Sequence, residues 1–257
     1  MTRNDPSTIL ISGATGGLGQ ALAREYAAPG RCLILLGRDQ AVLEGLCREC
    51  STQGARTVPL LIDLRDLRLL TEKLEEICRS ETIDLAIVNA GLNTNIGADG
   101  SGEAWPVVQD LIAVNITASM ATVQALLPDM RRRRQGQIAL ISSLAAYCGL
   151  PLTPSYSASK AALKAYGEAL RGWLAPEGIR VNVVMPGYVE SRMCSEMPGP
   201  KPFLWSAARA ARVIRTGLAA DRARISFPFP LNLGCWLLSV IHPALAQRIL
   251  RLLNYHA

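Results

Sequence analysis

Histidine is nearly missing from this chain of 257 residues: His242 and His256 are the only two, and both lie near the C-terminus. With the commonest transition-metal ligand confined to one end of the sequence, no metal site is expected. The seven cysteines are an odd number scattered through helix-like and strand-like segments, which argues against a disulfide framework and suits reduced thiols. Cys47-x-x-Cys50 has redox spacing, but it lies in an ordinary amphipathic stretch with no second pair, so no redox or metal role is assigned to it. Also absent are a signal-peptide-like start in Met1-Thr2-Arg3-Asn4-Asp5-Pro6 and any uninterrupted apolar run as long as a membrane span. The chain is therefore expected in the cytoplasm. Lysine is scarce as well, four among 27 basic residues.

A formal net charge of +6 raises the question of nucleic acid. The one dense basic cluster, Arg131-Arg132-Arg133-Arg134, falls between a helix ending near Met130 and the strand Gln137 to Ser142, where cations complement a helix C-terminus. No aromatic residues interleave with it and no zinc or RNP-like signature accompanies it, so no nucleic-acid partner is expected.

What the chain does contain is an alternation of apolar strand-like runs and amphipathic helical stretches, the pattern of an α/β protein with a parallel sheet. Strands are predicted near 8–12, 32–36, 57–62, 84–89, 137–142 and 179–185. Helices are predicted at about 18–27, 40–53, 67–80, 104–130 and 155–175. With 49% hydrophobic residues the chain can cover both faces of such a sheet within one domain, 1–257. Ligands of these sheets bind beyond the carboxyl ends of the strands.

Three segments at such ends carry chemistry. Tyr156-Ser157-Ala158-Ser159-Lys160 puts a phenol and an ammonium on one helical face. A nearby positive charge favours the ionised phenol, whose ordinary pKa is about 10, and makes Tyr156 a candidate general acid/base. The strand Thr8-Ile9-Leu10-Ile11-Ser12 runs directly into Gly13-Ala14-Thr15-Gly16-Gly17-Leu18-Gly19, a glycine turn that opens a helix and aims its N-terminal amides at an anion such as a pyrophosphate. Its spacing, G-x-x-x-G-x-G, differs from the G-x-G-x-x-G dinucleotide fingerprint. The second strand ends in Gly37-Arg38-Asp39. There an arginine can pair with a ribose 2′-phosphate where an acidic residue would bond a free 2′-hydroxyl, so Arg38 favours NADP(H) over NAD(H). Asp39 suits an N-cap.

Taken together, Gly13-x-x-x-Gly17-x-Gly19, Asn89-Ala90-Gly91, Asn115, Ser143, Tyr156-x-x-x-Lys160 and Pro186-Gly187 resemble the classical short-chain dehydrogenase/reductase family in order and spacing, over about residues 7–190. The resemblance implies a single Rossmann-like doubly wound parallel sheet flanked by helices, and transfer of a hydride between a nicotinamide and a carbonyl or secondary alcohol. It implies four catalytic residues. Ser143 orients and polarises the carbonyl, and Tyr156 gives or takes the proton. Lys160 lowers the tyrosine pKa and holds the nicotinamide ribose, while Asn115 supports a water relay behind the lysine. The implied cofactor site comprises Gly13, Thr15, Gly16, Gly17, Leu18, Gly19, Arg38, Asp63, Leu64, Asn89, Ala90, Gly91, Tyr156, Lys160, Pro186 and Gly187, with Asp63 near the adenine amino group. Asn89 can equally be a strand-end amide that ties two strands together. Ser142 adjoins Ser143, but neighbours on a strand face opposite sides.

Rival chemistries lack their partners. Ser157-x-x-Lys160 has the form of a serine acyl-enzyme motif without the Ser-Asp-Asn and Lys-Thr-Gly segments that go with it, and no Gly-x-Ser-x-Gly elbow is present. A nucleotide-sugar-modifying enzyme of the extended family type would have another glycine spacing and a longer substrate domain. A cofactor sensor without turnover is the remaining alternative, against which stand Asn115, Ser143, Tyr156 and Lys160.

Beyond Pro186-Gly187, residues 188–220 are expected to form a lid with an apolar inner face of Met193, Met197, Phe203, Leu204 and Trp205. Residues 224–257 depart from the family, whose usual terminal strand and tetramer-building turn give way to Arg224-Ile225-Ser226-Phe227-Pro228 and a Leu-, Ile- and Trp-rich segment, Leu231 to Leu253. This hydrophobic helical C-terminal extension is expected to cover the substrate pocket, pair subunits into a homodimer or homo-oligomer, or lie on a membrane surface.

Overall fold

A computed structural model describes residues 5–97, 100–197 and 199–255, so His256 lies outside the described residues. Among them, seven strands form one parallel sheet: β1 Thr8–Ile11, β2 Cys32–Gly37, β3 Arg56–Leu61, β4 Leu85–Val88, β5 Gly136–Ile141, β6 Ile179–Pro186 and β7 Arg224–Phe227. Their order across the sheet is β3-β2-β1-β4-β5-β6-β7. Every residue of β1, β2, β4 and β5 is buried, which explains why these segments read as continuous apolar runs.

The pleat sorts those residues alternately. Ile9, Ile11, Leu33, Leu35 and Ile87 join the core on one face, beneath helices α1 Gly17–Tyr26, α2 Gln40–Thr52 and α8 Ala207–Ala219. Leu10, Ile34, Ala86, Val88 and Leu140 join the other, under α3 Leu67–Ser80, α5 Ser119–Arg133 and α6 Pro154–Leu174. Each fully buried Leu or Ile contributes roughly 1.5–3 kcal/mol. Strand order reverses between β1 and β4, so the loops that follow these two strands diverge and leave a crevice over the carboxyl edge.

Three expectations need correction. The helix predicted at 104–130 is α4 Trp105–Ile112, a π-helical segment Ala113–Ala118 and α5, continuous through Arg133. By length and composition this 29-residue helix could cross a membrane, but half of its most apolar stretch is buried inside the protein, the mark of a core helix. The arginine cluster therefore belongs to its last turn, with Arg134 as a left-handed C-cap (φ 50°). Arg131 pairs with Glu177, Arg132 and Arg133 with Asp129, and Arg134 donates to the Pro176 carbonyl.

The expected lid of 188–220 is also divided. Its second half is α8, whose Ala210, Ala211, Ile214 and Leu218 are core residues. And Arg224–Phe227 is a strand after all, because its alternation buries Ile225 and Phe227 on one face against β6. The departure from the family pattern begins beyond it, with α9 Leu231–Val240 and α10 Pro243–Leu252.

Candidate active site

The glycine turn follows β1 directly. Gly13 has φ +64°, and a Cβ there would lie 2.7 Å from the Ala90 Cα. A Cβ at Gly19 would lie 2.1 Å from the Gly13 carbonyl oxygen. Only glycine lets this turn close so tightly. It delivers the N-terminus of α1 to the crevice with Gly16 as N-cap, and no side chain caps those amides. The Asn89 amide does tie the strands, donating to the Ser12 and Gly13 carbonyls at 3.0 and 3.2 Å. Ser12 Oγ accepts in return from the Asn89 and Ala90 N–H groups.

At the end of β2, Asp39 is the N-cap of α2 and accepts from the Val42 N–H at 3.1 Å. Arg38 is exposed on the crevice wall and has no ion pair among the described residues. Asp63, expected near an adenine, is gripped by Arg65 at 2.6 Å, and Arg65 also reaches Asp110. The Arg65 hydrogen bonds hold the Asp63 carboxyl down at about 2.

At the centre, Ser143 ends the run from β5 and caps a short turn, its Oγ accepting from the Ala145 N–H at 3.1 Å. Ser142 points away: its hydroxyl donates to the Lys160 carbonyl at 2.7 Å and pins β5 to α6. From α6, Tyr156 lines the same cleft as Ser143, and Lys160 Nζ donates to the Ile141 carbonyl at 2.9 Å.

In this arrangement the Tyr156 pKa lies above, not below, its ordinary value. Burial raises it, and hydrogen bonding to Ser143 pulls against it. Lys160 is itself brought down to about 8 by burial, and its ammonium is turned to the Ile141 carbonyl, 5.7 Å from the centre of the Tyr156 ring. Gly91 makes room for it, since a Cβ there would stand 3.2 Å from Nζ.

Asn115 lies behind this group, fully buried in the π-helical segment. Insertions of this kind recur at functional sites, and no feature of the sequence marked this one. The expected cofactor residues, together with Ser143, Tyr156 and Lys160, line one cleft of about 1240 Å³, and Asn115 alone of the predicted site residues does not line it. Sequence reasoning missed Asn93, which lines the same cleft and whose Oδ1 is buried without a hydrogen-bond partner.

The rest of the wall comes from the C-terminal part. Met193 and Met197 line the cleft as expected. Phe203 and Leu204 instead face solvent, and Trp205 stacks on Phe227 with ring centres 5.1 Å apart. Of the C-terminal extension, Leu231, Leu238, Ile241 and Ile249 line the cleft, while Leu233, Trp236, Val240 and Leu252 are exposed. Tyr255 fastens it, its hydroxyl lying 2.8 Å from that of Tyr188 and 2.8 Å from the Pro200 carbonyl.

Known proteins share this fold. The short chain dehydrogenase family profile matches residues 7–200. An uncharacterised oxidoreductase of Myxococcus xanthus is 33% identical over 225 residues, 87% of this chain and 88% of that one. The solved structure of a short-chain dehydrogenase from Sphingobium yanoikuyae in complex with NADPH has a TM-score of 0.79 at 24% identity, over 92% of this chain and 97% of that chain. A 3-oxoacyl-(acyl-carrier protein) reductase from Brucella melitensis with bound NAD has a TM-score of 0.72 at 25% identity, over 85% of this chain and 87% of that chain. This chain belongs to the short-chain dehydrogenase/reductase family and is an NAD(P)-dependent oxidoreductase.

Proposed function

We propose that the protein interconverts a ketone or aldehyde and its alcohol with NADP(H), using Tyr156 as the general acid/base. The observation that carries this reading is that Ser143, Tyr156 and Lys160 line the same cleft as the glycine turn. The turn fits a nicotinamide dinucleotide. The positions where a Cβ would fill the cradle are glycines, and the first-turn amides of α1 are left for an anion. Gly13 to Gly19 would hold the pyrophosphate, Asp63 and Leu64 the adenine side, and Asn89 to Gly91 with Pro186 and Gly187 the nicotinamide half. When bound, the cofactor supplies or accepts the hydride.

The chain's own residues handle the oxygen. Negative charge grows on the carbonyl oxygen during reduction, and positioned donors stabilise it. Ser143 and Tyr156 are two such donors side by side. Tyr156 gives its proton to that oxygen, and the charged form of Lys160, present below about pH 8, steadies the resulting phenolate and holds the nicotinamide ribose. Asn115 keeps the helix carrying both residues in place and supports a water relay behind Lys160.

Arg38 supports a preference for the 2′-phosphate of NADP(H), since the neighbouring carboxylate of Asp39 is committed to capping α2. The test is NADPH oxidation, followed at its absorbance, against a panel of ketones and aldehydes. The expected result is turnover of at least one class. Tight NADPH binding with no turnover on any of them would overturn the reading in favour of a cofactor sensor.

A further inference from the structure

The lining of the cleft is divided by element. Half of its charged residues follow β2 and β3, and an apolar arm is walled by the turn after β5 together with α9 and α10, which meet there. The charged residues of its lining are Arg38, Asp39 and Asp63 at the ends of β2 and β3, Lys160 at the centre, and Arg192 and Glu196. The last two neutralise one another at 2.8 Å, with the Arg192 side chain almost fully in solvent. No charged side chain comes from the arm walled by Leu144, Leu150, Leu231, Leu238, Ile241 and Ile249. The volume of about 1240 Å³ exceeds that of an ordinary ligand pocket, roughly 300–1,000 Å³, and takes in the dinucleotide cradle as well as this arm.

Part of this wall packs on the core, where Leu231 and Cys235 meet Leu144, and part faces open space. Helix α9 is Leu-Asn-Leu-Gly-Cys-Trp-Leu-Leu-Ser-Val, without a charge, yet none of its residues is buried. Its inner residues Leu231 and Leu238 are only half-buried and line open space. The α9–α10 hairpin is held by Leu231 and Cys235 packed against the cluster of Leu144, Val183 and Met185, by the buried Ala246 and Leu250, and by polar ties at its margins. Asn232 Nδ2 donates to the Ser226 carbonyl at 3.0 Å, and Gln247 Nε2 to the Gly149 carbonyl at 3.1 Å.

We infer that this arm holds the hydrocarbon tail of the substrate, and that the substrate class is long-chain aliphatic ketones and the matching secondary alcohols, uncharged along the tail, with the carbonyl at Ser143 and Tyr156. The inference rests on the reading of Tyr156 above. In the reduction, the carbonyl carbon takes a hydride and its oxygen takes the Tyr156 proton. NADPH becomes NADP⁺, the ketone becomes a secondary alcohol, and the phenol recovers its proton from solvent.

The experiment compares butan-2-one, octan-2-one and tetradecan-2-one in two ways: by kcat/KM with NADPH in the intact protein, and by calorimetric binding to Tyr156→Phe, which needs no turnover. Both are expected to strengthen with length, by up to about fourfold per added methylene until the arm is filled. In Leu238→Glu the ratio of kcat/KM for tetradecan-2-one over butan-2-one is expected to fall at least about tenfold, the equivalent of roughly 1.4 kcal/mol. NADPH affinity reports that this variant is folded. Binding and kcat/KM that do not change with chain length would overturn the inference and leave Tyr156 chemistry standing. Length-dependent binding to a protein that reduces none of the three would support the arm and overturn the reaction.

Discussion

Asn115 holds the Leu92 peptide from both sides: its Oδ1 accepts from the Leu92 N–H at 2.7 Å, and its Nδ2 donates to the Leu92 carbonyl at 3.0 Å. The same Nδ2 reaches Ser159 Oγ at 2.9 Å, and Ser159 in turn donates to the Tyr156 carbonyl at 2.8 Å. One buried amide thus locks the loop after β4 to the helix that carries Tyr156 and Lys160. Asn115→Ala strands the Leu92 N–H and carbonyl, each worth about 1–3 kcal/mol when left unsatisfied. Denaturant unfolding is expected to show a loss of about 2–5 kcal/mol, and an unchanged midpoint would refute the locking role.

Gly19→Ala brings a methyl group to 2.1 Å from the Gly13 carbonyl oxygen. The turn has to open to admit it, at a strain of about 1–3 kcal/mol. NADPH affinity, measured by fluorescence titration, is expected to weaken about tenfold or more, the equivalent of roughly 1.4 kcal/mol. Undiminished affinity would mean that the pyrophosphate does not rest on this turn.

Arg38→Ala separates the two cofactors. A charged hydrogen bond to the 2′-phosphate is worth about 1.5–3 kcal/mol, so NADPH affinity is expected to fall by about 10- to 100-fold. NADH affinity is expected to stay within about twofold, since that cofactor lacks the phosphate. Equal losses for both would show Arg38 to be structural.

Lys160 carries a pH signature. Burial lowers its pKa from 10.5 to about 8, so between these values the unfolded chain binds a proton that the folded chain does not. Below pH 8 both states are protonated and the folded state bears the full cost of the buried ammonium. Stability from this group therefore rises with pH through the window, by up to about 1.4 kcal/mol per unit. Compared with Lys160→Met, the intact protein is expected to gain relative stability from pH 8 to 10 in denaturant titrations. A difference that stays level with pH would contradict the depressed pKa.

Most of what positions the site could be read in the sequence because it is local. The Tyr156–Lys160 spacing, the Gly13–Gly19 turn and the opposed faces of Ser142 and Ser143 each follow from geometry within one element. What could not be read depends on distant packing. Helix α8 is amphipathic like any lid helix, and only its burial against α1 and β7 makes Ala210 and Ile214 core residues. Arg224–Phe227, bounded by arginine and proline, becomes a strand by pairing with β6 at the sheet edge. The raised Tyr156 pKa has a similar origin: the i,i+4 spacing fixes the distance to Lys160 but not how deeply the phenol is buried.

Tyr156→Phe tests the central claim most directly, because it removes one oxygen atom and leaves the Lys160–Ile141 bond and the glycine turn in place. With NADPH and a ketone the protein reduces, single-turnover kinetics are expected to slow by about 10²–10⁴-fold while NADPH affinity stays within about threefold. A variant that reduces the ketone at the original rate would show that the proton comes from elsewhere and would contradict the account.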